Sequence, residues 1–328
     1  MKSNRFATYA WGVLIYNILV ILWGAYVRAT GSGAGCGNHW PSCNGEVVPL
    51  ASQAKTLIEF THRLSSGLAL LGVIILLVWA FRAYPKGHLV RLGAQLSMFF
   101  IVIEALIGAG LVLFELVAEN TSAARAVVIA IHLANTFLLL GSLTLTAWWA
   151  SGGKPVQLRR QGWPGWALGF GILGLMIVGA TGAVTALGDT LFPATSLAEG
   201  LQQKFSPTAH FLVRLRLFHP IIAIGVGGYL LVIASKFNAL YANTATRRIA
   251  KLVTALYLVQ LAVGVLNVAW LAPISMQFLH LLLSDLIFVT WTLFIATALA
   301  QDAPYAQSIR LLKTLPSSKQ EVYSQPGH

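Results

Sequence analysis

Stretches of about 20 apolar residues, each long enough to cross a hydrocarbon core of about 30 Å, recur along almost the whole chain. They fall at roughly 8–28, 58–82, 92–116, 125–149, 165–187, 208–235, 248–270 and 275–300. Such runs leave little choice of fold. In lipid, backbone N–H and C=O groups find no water, so each run bonds internally as a helix. A closed membrane barrel would need short segments of alternating polarity, which this chain lacks. With 57% hydrophobic and 10% charged residues over 328 positions, no soluble domain of this size could hide the apolar surface. The expected fold is an all-α integral membrane protein, with eight transmembrane helices forming two pseudo-symmetric four-helix bundles.

The formal net charge of +12 could suggest nucleic acid, but its placement points elsewhere. With the N-terminus inside, fifteen of the 22 Lys and Arg fall on inner segments, and six of the ten acids fall on outer ones. That is the positive-inside asymmetry. The basic balance therefore reports orientation and contact with membrane lipid, with no nucleic-acid partner. We expect a multi-pass protein of the cell (plasma) membrane with both termini cytoplasmic. The first apolar run shows no signal-peptide cleavage pattern and is long enough to remain a span. Residues 301–328 read as a polar cytoplasmic tail.

The chain resembles itself. His219 follows His62 by 157 positions, and at that shift "VRATG" (27–31) lies over "VTALG" (184–188). One residue off that register, Gly108 in "IEALIGAG" meets Gly264 in "LVQLAVGV". His280 follows His132 by nine fewer positions, which the short "LAPIS" connection explains. The simplest division is an N-terminal four-helix unit at 1–150 and a C-terminal one at 160–300. Parallel repeats of this kind place equivalent sites around an axis along the membrane normal.

Four of the eight histidines, His62, His132, His219 and His280, lie one on each even-numbered span. Each stands 4 to 11 residues past the outer end of its span, roughly 6–17 Å deep at 1.5 Å per residue. A single intramembrane histidine is readily a helix-to-helix hydrogen bonder. Four at one depth, paired by a repeat, are better read as functional, because ionisable groups there are costly. Neutral imidazole is a common axial ligand of haem iron, and facing helices of a four-helix unit can clamp one haem between two histidines. The pattern predicts iron ligation by His62 with His132 and by His219 with His280. Structural zinc is the competitor, but it favours four ligands with closely spaced pairs, and here each helix supplies one.

Arg28, Arg63, Arg125, Arg214 and Arg216 stand at outer helix ends, against the positive-inside bias. A haem in the outer half would turn its propionates toward them, although snorkelling alone could also hold such arginines at the interface. The first outer loop, "GSGAGCGNHWPSCNG", holds the only two cysteines, Cys36 and Cys43. Facing an oxidising compartment, they could form a structural staple or a labile redox pair. The corresponding second-half loop, "GDTLFPATSLAEG", has no cysteine. Glu59 precedes His62 by three positions, on one helical face, and could move protons beside a haem or merely pair with Arg63. At the 157 shift its counterpart is Arg216. Glu104, inside the third span, is matched by about Gln260 and could simply bridge helices.

"TGSGAGCGNHWPSCNG" followed by "IEFTHR", with "IHLAN" in span four and "FLH" in span eight, resembles the haem A synthase family over about residues 8–300. The chain departs from some members in "RLRLFHP" and in lacking second-half cysteines. The resemblance implies oxidation of the C8 methyl of haem O to a formyl group by successive hydroxylations, with haem A supplied to terminal oxidases. It further implies substrate haem O at His62 and His132 with Glu59 nearby, haem b at His219 and His280, and a site or redox role for Cys36 and Cys43. The implied partners are haem O synthase and an electron carrier of unspecified identity; a homo-oligomer is compatible with the sequence. Two other classes can be set beside it. A di-haem membrane cytochrome b that only carries electrons would typically place its ligand pairs on two helices. A transporter of inverted repeats would need antiparallel units, whereas four spans per unit make these parallel.

Overall fold

In the computed structural model, residues 5–49, 53–157, 161–240 and 244–300 are described. Arg159, Arg160 and the tail at 301–328 lie outside the described residues. The described residues form ten helices and no strand: α1 (Arg5–Ala29), α2 (Ala54–Ala83), α3 (Leu89–Leu113), α4 (Ala123–Ala150), α5 (Trp163–Leu191), α6 (Leu197–Phe205), α7 (Phe211–Leu215), α8 (Phe218–Leu240), α9 (Thr244–Ala269) and α10 (Ile274–Ala298). Eight stretches are long and apolar enough to cross a membrane, α7 and α8 together making one of them.

Local chemistry explains where these helices begin and break. Ser122 caps α4, its hydroxyl accepting from Arg125 N–H at 3.2 Å. His88 and His210 cap α3 and α7 through ring Nδ1 atoms that accept from Val90 N–H and Leu212 N–H. Two of the four histidines set aside by the span pattern are therefore helix caps. The sixth expected span is interrupted before Phe218. Pro220 has no N–H to give the Arg216 carbonyl, so the ladder stops and restarts with proline in the first turn of α8. The third span ends at Leu113, earlier than expected, where the chain turns through Glu115 at φ 55°.

Helix α6 is an addition that hydropathy does not detect. It lies in the connection between α5 and α7 and begins after Ser196, whose side chain accepts from Glu199 N–H. The Glu199 carboxylate returns to Thr195 N–H at 2.8 Å, a close relative of the capping box.

Helices α4 and α10 form the centre. Half of the most apolar window of each is buried, against 17–33% for the other spans. Helix α4 packs on α1, α3, α5 and α10, and α10 also meets α1, α5 and α9. At the seam, Phe137 of α4 stacks on Phe288 of α10 with centroids 4.6 Å apart and 13° between planes. Glycine lets the backbones close over these rings: a Cβ on Gly179 would stand 2.4 Å from Phe137, and one on Gly171 would stand 2.2 Å from Trp291. With lipid as apolar as the side chains, such close packing supplies the association. The outward faces of α2, α3 and α9 carry exposed Leu, Ile, Val and Phe, as lipid contact requires.

Candidate functional site

The helices surround one continuous cavity of about 1870 Å³. That exceeds the roughly 300–1,000 Å³ of an ordinary single-ligand pocket. His62, His132, His219 and His280 all line it, as do Glu59, Glu104, Arg28, Arg63, Arg125 and Arg216. Most of the remaining wall is aliphatic.

Each histidine of an even span meets a glycine of the span before it. A Cβ on Gly24, Gly182 or Gly264 would stand 2.9, 3.0 or 3.1 Å from Cε1 of His62, His219 or His280, and one on Gly108 would stand 3.7 Å from His132 Nε2. The rings of His62, His219 and His280 therefore fill notches that a larger residue would crowd, whereas His132 meets Gly108 at ordinary contact distance. The sequence repeat matched Gly108 with Gly264 but did not show that these glycines seat the histidines. Gly24 and Gly182, one residue off the 157 shift, carried the same signal.

The four rings have different second partners. His132 Nδ1 lies 2.9 Å from Glu104 Oε1. His219 Nδ1 lies 3.2 Å from Thr181 Oγ1. The Nδ1 atoms of His62 and His280 are buried without a hydrogen-bond partner. His219 and His280 face each other with ring centroids 6.2 Å apart. With metal–imidazole bonds of about 2 Å, a linear imidazole–metal–imidazole unit sets two ring centroids roughly 6 Å apart, so this pair suits a shared axial role. Among the described residues, no three of His, Cys, Asp and Glu gather closely enough to hold a metal ion. The donor set thus offers imidazoles on an apolar wall, which suits haem.

The outer rim is built from acid–arginine pairs. Glu59 is 3% exposed. Its Oε1 accepts from Arg63 Nη2 at 2.5 Å, and its Oε2 accepts from Cys36 N–H at 2.8 Å. Arg63 Nη1 reaches the carbonyls of His39 and Ser42, each at 2.6 Å. Together they strap the cysteine loop onto α2. In the second half the pair is reversed: Arg216 Nε lies 3.1 Å from Asp189 and its Nη2 reaches the carbonyls of Gly188 and Phe192.

Arg28 crosses between the halves, reaching the Ala186 carbonyl and Thr190 of α5 and Gln277 of α10 at 2.6–2.8 Å. Arg125 holds the carbonyls of Ala118 and Asn120, while its Nε is buried without a hydrogen-bond partner. Arg214 stands apart from these: it is exposed, bonds the Pro207 carbonyl, and does not line the cavity.

Cys36 and Cys43 form a disulfide, buried behind Glu59 and off the cavity wall. Labelling in denaturant should show it. Membranes prepared without reductant are expected to give no thiol adduct at either cysteine until a reductant is added. Adducts on both before reduction would remove the disulfide from the resting protein.

Eight spanning helices around a histidine-lined cavity define a multi-pass membrane protein with paired axial-ligand candidates. The COX15-CtaA family model, described as cytochrome oxidase assembly protein, matches residues 7–292, and the chain belongs to that family. It is 56% identical over 295 residues to a protein of Thermus thermophilus named protoheme IX farnesyltransferase, a match covering 90% of this chain and 48% of that protein. It is 41% identical over 115 residues to the heme A synthase of Lysinibacillus sphaericus, covering 35% of this chain and 38% of that one. To the heme A synthase of Shouchella clausii it is 43% identical over 97 residues, covering 30% and 32%. The chain thus spans about half the length of the Thermus relative, and the matches to the two synthases take in about a third of each.

Proposed function

We propose that this protein is a haem A synthase, oxidising the C8 methyl of haem O to a formyl group by successive hydroxylations with loss of water, the oxygen coming from water and the electrons leaving to an electron carrier. The observation that carries the reading is the set of four histidines, one per even span, on the wall of a single cavity. Family membership and the synthase relatives support it.

In this reading the unit at 1–150 holds haem O between His62 and His132, and the unit at 160–300 holds haem b between His219 and His280. Bound haem iron supplies the redox chemistry. The rest is done by the chain. The aliphatic wall excludes water. Arg28, Arg63, Arg125 and Arg216 offer guanidinium groups to propionates, and Arg125 Nε has no hydrogen-bond partner within the protein. An ionised carboxylate has about four lone-pair sites; Glu59 Oε1 accepts from both Nε and Nη2 of Arg63, whereas Oε2 accepts from Cys36 N–H and keeps capacity to take a proton released from the methyl group. The Cys36–Cys43 disulfide holds the loop that holds Glu59, whether or not it also exchanges electrons. The rim faces the outer side, both termini face the cytoplasm, and the product goes to terminal oxidases.

The name of the Thermus relative raises a second reading, prenyl transfer to protohaem. Magnesium-bound diphosphate would call for clustered carboxylates. The three aspartates of this chain, Asp189, Asp285 and Asp302, are far apart in the sequence. We therefore favour the synthase reading for this chain, with haem O synthase the expected supplier of substrate. Expression in a host that makes haem O but no haem A, followed by haem extraction, tests both. Haem A or hydroxylated haem O is expected. Haem O alone would sink the synthase reading, and new farnesylated haem in a host limited to haem b would favour the second.

A further inference from the structure

Glu104 and Gln260 occupy matching positions, each four residues before the glycine that meets a histidine, Gly108 and Gly264. Their contacts differ. Glu104 Oε1 lies 2.9 Å from His132 Nδ1 and 2.5 Å from Thr136 Oγ1, and Oε2 accepts from Asn135 Nδ2 at 2.6 Å. His132, Asn135 and Thr136 are i, i+3 and i+4 on α4, so one helical face meets the carboxylate with three donors. Gln260 is neutral, and its amide donates to the His280 carbonyl at 3.0 Å and lies 3.4 Å from His280 Nε2. His280 Nδ1 has no partner. Of the four imidazoles lining the cavity, His132 is the one whose Nδ1 meets a carboxylate.

A carboxylate on the distal ring nitrogen fixes the tautomer, leaves Nε2 free for a metal, and makes the ligand more basic. A more basic axial ligand favours the higher oxidation state of iron; hydrogen bonding around the ligand is one of the protein's means of tuning a haem. We propose that Glu104 is a positioning residue that gives His132 imidazolate character, so that the N-terminal haem has a lower reduction potential than the C-terminal one. This rests on the haem-binding reading above. It gives the two halves different electronic roles through one acid-for-amide difference.

The test is a redox titration of the purified, full-length, haem-loaded protein, followed optically. Two midpoints are expected in the wild type. Removing the hydrogen-bond partner of a metal-ligating histidine typically costs about 10–100-fold in metal affinity or activity, and a redox equilibrium is expected to move on the same scale. For a one-electron couple at 59 mV per tenfold, Glu104→Gln should therefore raise the lower midpoint by about 59–118 mV and leave the upper one in place. Glu104→Asp, which keeps the charge, should fall between. Asn135→Ala removes one competing donor, concentrates charge toward His132, and should lower the same midpoint. This variant decides the matter if Glu104→Gln loses its N-terminal haem. Unmoved midpoints, or a rise in Asn135→Ala, would overturn the assignment in protein that binds haem normally. Wild-type protein that purifies without haem would instead defeat the haem-binding reading itself, and this inference with it.

Discussion

Protein carrying His62→Ala or His132→Ala should make no haem A while still purifying with the haem of its C-terminal half. Both side chains line the cavity; His62 is seated tightly against Gly24, and His132 lies beside Gly108. On the proposed reading, removing either leaves the N-terminal unit with one imidazole to offer a haem and a hole of imidazole size. His132→Ala also strips the Glu104 carboxylate of its ring partner. The change should stay local, because His219 and His280 sit on α8 and α10 and face each other. The mirror experiment has the opposite signature: His219→Ala or His280→Ala should remove most resident haem b. Spectra of the purified variants and chromatography of extracted haems distinguish the two outcomes. Loss of haem b only in the His62 and His132 variants would reverse the assignment of the two halves.

Glu59→Gln should slow conversion by about 10²–10⁴, the usual cost of losing a positioned acid–base group, with haem spectra unchanged. The structure supplies a competing explanation that must be separated. Glu59 accepts from Arg63 and from Cys36 N–H, so it also holds the disulfide loop. Breaking a buried ion pair from one side typically costs about 3–5 kcal/mol, a range similar to that of the expected kinetic loss. The two effects differ in what else they disturb. Glutamine keeps an acceptor for Cys36 N–H, and Arg63 keeps its bonds to the His39 and Ser42 carbonyls of the disulfide-closed loop, so the fold around α2 should survive. A proton-transfer role then predicts a folded, haem-loaded protein that accumulates haem O or its hydroxylated form, with Glu59→Asp between glutamine and wild type. If the glutamine variant makes haem A at the full rate, Glu59 is a structural partner of Arg63 and no more. If it loses haem or unfolds, the strap dominates.

The architecture was legible because a bilayer leaves each apolar run one conformation. All eight expected spans are present as helices, with ends displaced by a few residues. The misses have local causes that hydropathy averages away: proline breaks the sixth span before Phe218, and a nine-residue polar-faced helix, α6, forms around a serine cap. The histidines were legible because one per even span is a regularity of the linear chain. Glu59 and the cysteines were legible as neighbours of that pattern, but the Cys36 N–H that joins them to each other was not.

From the linear chain alone follow the all-helical membrane class and the placing of one histidine on each even-numbered span, with the repeat and the depth of the imidazoles as expectations. Each depends on local hydropathy, a fixed rise per residue, or spacing. The tertiary structure decided the partners: which glycine receives each ring, that Arg28 reaches α5 and α10, that Arg214 stands outside the cavity, and that Glu104 meets His132 where Gln260 leaves His280 Nδ1 bare. Those contacts depend on how each helix is rotated about its axis and which neighbour it packs against. The packing of α4 and α10 at the centre sets both, through residues far apart in the chain.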